Sequence, residues 1–194
     1  MTKSIDFYFD FISPYTYLAH KKLKLLNENN KIDINYKPIL LGGLHKLNDI
    51  TAPAFNKSKM KNMKNDCELV AFKNDIEFKW NTKFPINSLY LMRGYLVINN
   101  DLKKKFFDLC FDAYWKDNLD ISDKKIVDNI LKIAGIKKKE FFKSVENIKI
   151  KNELKKLTNN AFKKDIFGAP TFIVNNKIFW GQDRLNYALD EYNS

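Results

Sequence analysis

Cysteine is all but absent from this chain of 194 residues: Cys67 and Cys110 stand far apart and form no Cys-x-x-Cys pair. Two such residues exclude a disulfide framework and read as reduced thiols on helices. Histidine is as scarce. His20 and His45 have no zinc-type spacing, so no metal site is expected. Arginine is nearly missing too: of 34 basic residues only Arg93 and Arg184 are arginines, so lysine carries the net charge of +11. Nucleic-acid sites lean on the bidentate arginine fork. Here lysines are spread over solvent-facing helix positions beside abundant asparagine, and nucleic acid is not expected as a partner. No stretch approaches the ~18 consecutive apolar residues of a membrane helix. The opening Ile5-Asp6-Phe7-Tyr8-Phe9 reads as a strand, unlike the basic start and apolar run of a signal peptide. A soluble cytoplasmic protein without a membrane partner is the expectation, and with 45% hydrophobic residues it has enough apolar material for a sizeable core.

What is present is organised in two styles. Residues 5–11 are almost wholly apolar, as suits a strand covered on both faces. Ser13 is a strong N-cap and Pro14 is favoured at the first helical position. Tyr15, Leu18, Ala19, Leu23 and Leu26 then make one helical stripe that Asn27-Glu28-Asn29-Asn30 ends. Ile32–Lys37 alternates as a second strand, closed by Pro38, and strand–helix–strand at this length predicts a parallel pair. From 44 to 165 the periodicity is helical. One helix is capped by Ser122-Asp123 and stopped by Gly135, and further helices are expected over 137–147 and 150–164. The chain turns β again at Thr171–Val174 and Lys177–Trp180, joined by Asn175-Asn176, before a final helix opened by Gly181-Gln182-Asp183. The order is βαβ, helices, ββα. It predicts an α/β, thioredoxin-like fold with residues 1–43 and 166–194 as the thioredoxin-like part and 44–165 as a large all-helical insertion.

Three junctions carry chemistry. Ser13 stands where a thioredoxin-like protein has the first cysteine of its Cys-x-x-Cys. A helix N-terminus presents unpaired N–H groups and about half a positive charge. A thiolate placed there is stabilised, and a hydroxyl adds one more donor. Serine in that place points to a protein that handles another molecule's thiol, with glutathione as the candidate; as a structural residue, Ser13 only caps its helix. Ala169-Pro170-Thr171 enters a strand. A cis proline would turn the Ala169 backbone towards Ser13, free to pair with a peptide main chain, whereas a trans edge-strand proline would not. Trp180-Gly181-Gln182-Asp183-Arg184 is a third junction, where Asp183 could bind an ammonium group or merely favour the helix start.

Phe9-Asp10-Phe11-Ile12-Ser13-Pro14-Tyr15-Thr16-Tyr17-Leu18-Ala19 closely resembles the N-terminus of the 2-hydroxychromene-2-carboxylate isomerases, relatives of kappa-class glutathione transferases and DsbA-like proteins. Leu41–Lys46, Phe84-Pro85-Ile86-Asn87, Phe167–Phe172 and Phe179–Leu185 resemble further segments of that family, in order and across essentially the whole chain. The resemblance implies glutathione as cofactor and a cis–trans isomerase acting by reversible thiolate addition to a small unsaturated carbonyl substrate. It implies Ser13 as the catalytic residue holding the sulfur. Ala169, Pro170, Trp180, Gln182 and Asp183 would make the remaining glutathione contacts, with Lys46 and Asn87 on the substrate side. Lys59 is a further candidate for a glutathione carboxylate. A kappa-like glutathione transferase or peroxidase and a non-enzymatic DsbA-like peptide binder are the alternatives, and a homodimer stays open. Ser13 and Thr16 replace both redox cysteines, which argues against a disulfide oxidoreductase. The chain departs from the family after Gly42-Gly43: where Phe-Lys and a Gly-Asn-Lys-Pro-Pro-like stretch are usual, it reads His45-Lys46-Leu47-Asn48-Asp49-Ile50-Thr51-Ala52-Pro53. A different substrate pocket is therefore expected.

Overall fold

The apolar segment near the N-terminus forms the middle of the sheet in the computed structural model, which describes residues 3–27 and 32–194. Strand β1 (Ile5–Phe9) lies between a parallel partner, β2 (Ile34–Pro38), and an antiparallel one, β3 (Thr171–Val174). β4 (Lys177–Trp180) completes the order β2-β1-β3-β4. Both faces of β1 are covered, which is why it lacks clean polar alternation. Ile5, Phe7 and Phe9 enter the main core, while Tyr8 turns to a smaller cluster with Ile39, Leu44, Ala161 and Ile166. Phe7 stacks on Phe172 across the strand pair, ring centroids 4.9 Å apart.

Helix α1 (Pro14–Asn27) begins where the sequence signals it, at the Ser13 cap. Its expected stop at Glu28–Asn30 lies outside the described residues. After β2 comes α2 (Leu41–Leu47), so the boundary drawn between residues 43 and 44 runs through a helix. Six helices follow: α3 (Lys57–Lys73), α4 (Leu89–Val97), α5 (Asn100–Trp115), α6 (Lys124–Ala134), α7 (Lys138–Val145) and α8 (Ile148–Phe162). Local chemistry sets the ends of α6. Asp123 Oδ1 accepts the Lys125 N–H at 2.8 Å, and Gly135 takes the left-handed conformation at φ 78°. Asn175 and Asn176 both have positive φ, 48° and 63°, as a two-residue hairpin turn between twisted strands requires. A short 3-10 turn, Gln182–Arg184, leads into α9 (Leu185–Asn193).

The helical segment does not stand apart from the sheet. Phe9 and Phe11 meet Phe107 and Phe111 of α5 at centroid distances of 4.7 and 5.0 Å, so both parts share one apolar core. Truncating one of these rings to alanine would cost about 3–5 kcal/mol. Trp115, at the end of α5, donates its indole N–H to the Phe11 carbonyl at 2.9 Å. That bond reaches from the helical segment to the loop between β1 and α1, two residues before Ser13. Cys67 in α3 and Cys110 in α5 are fully buried, and neither starts α1. Among the described residues no helix is long and apolar enough to cross a membrane, and no group of three metal-capable side chains gathers.

Candidate active site

Ser13 sits at the turn from sheet to helix and is only 3% exposed. Its backbone N–H donates to the Asp10 carbonyl at 3.1 Å. Its hydroxyl has two partners: Oγ accepts the Thr16 N–H at 3.2 Å and donates to the Ala169 carbonyl at 2.8 Å. One side chain therefore joins the start of α1 to the residue before Pro170, 156 positions later. The Ala169–Pro170 peptide bond is cis. Pro14 has no N–H and Thr16 is capped by Ser13, which leaves the Tyr15 N–H as the donor of the helix start without a partner among the described residues. The Ala169 N–H is likewise without a hydrogen-bond partner among the described residues.

Asp10, with no exposed surface, braces this corner. Its Oδ1 accepts the Ile12 N–H at 3.2 Å and its Oδ2 accepts the Leu41 N–H at 2.8 Å, while the Ser88 side chain bonds the same carboxyl group. Three segments that are distant in sequence are thereby fastened together: the loop before Ser13, the start of α2 and the residue before α4. Burial pushes the Asp10 pKa up, against the lowering effect of those hydrogen bonds.

A cavity of about 800 Å³ opens beside Ser13. Its walls come from the start of α1, residues 40–45, the loop 50–55, residues 84–88 and the approach to β3. They are largely apolar. Phe55 stands at the rim, 76% exposed. Trp180 is half exposed and packs on Phe167 at 4.7 Å between centroids. A Cβ on Gly168 would lie 2.4 Å from Trp180 Nε1, so the indole can rest there only because residue 168 has no side chain.

The structure brings some of the expected site residues together and leaves others apart. Ser13, Asn87, Ala169 and Trp180 all line the cavity, and Pro170 is buried directly behind Ala169. Asn87 Oδ1 accepts the Leu89 N–H at 2.9 Å, so its carbonyl end serves α4. Lys59 lies on the cavity wall, exposed, where a second and shallower depression begins. Gln182 and Asp183 are not on that wall. Gln182 is buried and accepts a hydrogen bond from Lys22 Nζ at 2.7 Å; Asp183 is exposed beside it. Burial lowers the Lys22 pKa, while the negative charges of Asp183 and Asp66 act to raise it, so these four residues form one polar cluster. Lys46 is exposed and does not line the cavity. Its neighbour His45 does.

Sequence reasoning gave no role to three residues on this wall: His45, Asp10 and Ser88. A carboxylate inside an otherwise apolar strand end was the visible sign of Asp10. The histidine offered no sign beyond its type. His45 is partly buried, burial lowers its pKa, and its ring makes no hydrogen bond with any described residue.

A family model for the DSBA-like thioredoxin domain matches residues 4–193. The chain is 30% identical over 199 aligned positions to a 2-hydroxychromene-2-carboxylate isomerase of Sphingobium xenophagum, covering 99% of this chain and 98% of that protein. It is 27% identical over 205 positions to glutathione S-transferase kappa 1 of Caenorhabditis elegans, covering 96% and 89%. Among solved structures, a 2-hydroxychromene-2-carboxylate isomerase shares the fold at a TM-score of 0.90 and 22% identity, over 97% of this chain and 94% of the other.

Proposed function

The chain belongs to the DSBA-like thioredoxin domain family, within the 2-hydroxychromene-2-carboxylate isomerases, and from that premise we propose that it is a glutathione-dependent cis–trans isomerase. The observation that carries the reading is the Ser13–Ala169 hydrogen bond at the cavity wall. It puts a hydroxyl, an uncapped helix N–H and an unpaired main-chain N–H at one point, which is what a peptide-like thiol needs. The Ala169 N–H and C=O would pair with the cysteinyl main chain. Once a ligand N–H takes over the Ala169 carbonyl, the Ser13 hydroxyl is released to donate to the sulfur. The Tyr15 N–H and the helix start favour the anion there. Lys22 and Asp183 offer a cation and a carboxylate for the two charges of a γ-glutamyl end, with Gln182 between them.

Glutathione, when bound, supplies the thiolate whose reversible addition to a conjugated carbonyl compound lets the former double bond rotate. The protein's part is to keep that sulfur deprotonated, to hold the substrate against it in an apolar enclosure, and to meet charge that develops on the substrate oxygen. Trp180, Phe55 and Phe84 supply the enclosure. A cytoplasmic setting, where glutathione is reduced, suits this reading. The likeness to kappa-class transferases favours a second one, conjugation of glutathione to other electrophiles at the same Ser13.

The test is the ultraviolet thiolate absorbance of glutathione titrated with pH in the presence of the protein. A bound thiol that ionises well below free glutathione supports the proposal. A titration like that of free glutathione, or no binding, removes it. Assays with a cis-configured conjugated ketone and with a chlorodinitrobenzene-type electrophile then separate isomerase from transferase.

A further inference from the structure

Among the described residues that line the main cavity, Lys59 alone carries a fixed positive charge. It is exposed, and it sits at the edge shared with the shallow depression rather than deep among the apolar walls. Asp10, the cavity's acidic side chain, is engaged by two backbone N–H groups and Ser88. A ligand carboxylate in the apolar part would lose its water and meet no enclosed cation there. An uncharged ligand pays no such penalty. Yet the wall is not wholly inert. His45, on α2, lines the wall with an imidazole that has no hydrogen-bond partner among the described residues, and burial lowers its pKa, which favours the neutral form. A neutral imidazole has one N–H to give and is available where every other polar wall residue is exposed, short or already bonded.

We propose that His45 is the hydrogen-bond donor to the carbonyl oxygen of the second substrate, and that this substrate is an uncharged aromatic or otherwise apolar α,β-unsaturated ketone or aldehyde, not a carboxylate. The inference rests on the isomerase reading above and narrows its substrate class. Addition of a thiolate at the β-carbon shifts the π pair so that negative charge gathers on the carbonyl oxygen. Elimination returns the pair to the carbon–carbon bond and frees the thiolate, with no net oxidation. An N–H on that oxygen is worth more as the charge develops than in the ground state.

The test begins without glutathione, so that its failure is distinct from failure of the glutathione reading. The protein is titrated with benzylideneacetone and with benzylidenepyruvate, which differ by a methyl group against a carboxylate. The uncharged ketone is expected to bind roughly tenfold or more tightly. With a ¹³C-labelled carbonyl, the bound ketone should resonate further downfield in wild type than in His45→Phe, and His45→Gln should restore part of the shift. With glutathione added, His45→Phe should lower ketone turnover about ten- to a hundredfold while the thiolate titration stays that of wild type. Equal carbonyl shifts in wild type and His45→Phe overturn the donor assignment. Equal or tighter binding of the keto acid, or no binding of the ketone, overturns the substrate class; these last measurements need no variant. A normal wild-type carbonyl shift with no glutathione thiolate signal would refute the isomerase reading and leave the pocket assignment standing.

Discussion

Replacing Ser13 by alanine separates what the hydroxyl does for the fold from what it does for a bound thiol. Two hydrogen bonds disappear, to the Thr16 N–H at 3.2 Å and to the Ala169 carbonyl at 2.8 Å. The first is an N-cap, worth about 0.5–2 kcal/mol. The second leaves a carbonyl unpaired in a buried corner, a loss of roughly 1–3 kcal/mol. Together they amount to about 1.5–5 kcal/mol, and in a chain of this size the melting temperature should fall on the order of 10 °C. Glutathione changes the balance. In wild type a ligand N–H must displace Ser13 from the Ala169 carbonyl; in Ser13→Ala it fills a vacant acceptor. Saturating glutathione should therefore narrow the stability gap between the two proteins, and the variant's affinity should be equal or better. The bound thiol should nonetheless ionise at higher pH in the variant, because a donor to the anion is gone. Calorimetric melting with and without glutathione, together with the thiolate absorbance titration, reads all three quantities. A melting temperature unchanged by the substitution would refute the stability argument. Coincident thiolate titrations would reduce Ser13 to a staple between α1 and the approach to β3.

The remaining predictions concern groups away from that bond. Cys67→Ser and Cys110→Ser should keep glutathione-dependent turnover, and insulin reduction should stay at background, because burial pushes both thiols up and neither lines the cavity; activity abolished by either change would contradict this. Lys46→Ala should leave turnover within about twofold, because the side chain is exposed and off the cavity wall, and a tenfold loss would return it to the substrate side. His20 should make the fold acid-sensitive. Burial between α1 and α5 lowers its pKa despite its Asp108 partner at 2.6 Å, and the Lys24 and His20 hydrogen bonds hold Asp108 at about 2 in spite of its own burial. The unfolded chain therefore binds a proton near pH 6.5 that the folded chain resists. Between pH 7 and 5 wild type should lose more stability than His20→Gln in urea unfolding, and parallel losses would rule out His20 as the source.

The parts of this architecture that local chemistry dictates were readable from the residues. Ser13-Pro14 announces a helix start because the cap and the missing proline N–H act within one turn. Asn175-Asn176 announces a hairpin because asparagine accepts the positive φ that both positions adopt. The apolar run of β1 betrays a strand with two covered faces. What escaped was long-range or too short to show a period. α2 spans seven residues, less than two full helical repeats with their flanks, so its pattern could not say which of His45 and Lys46 faces inward. The bracing role of Asp10 depends on Leu41 and Ser88, and the place of Gln182 depends on Lys22. No spacing rule connects such partners. Placing Lys46 at the substrate side followed a familial pattern that the structure does not bring to the wall.

The resting place of Trp180 against Gly168 has an optical consequence. The chain has three tryptophans. Trp115 is fully buried and stacks near Phe78, and Trp80, partly buried, packs beside it at 5.8 Å; neither lines the cavity. Trp180 alone of the three lines the cavity, and it is 52% exposed. As the most exposed of the three, it should emit furthest to the red and be the most accessible to quenchers. The protein thus carries a built-in reporter at the mouth of its own site, in which occupancy is legible as a blue shift and as protection from iodide, with no label attached.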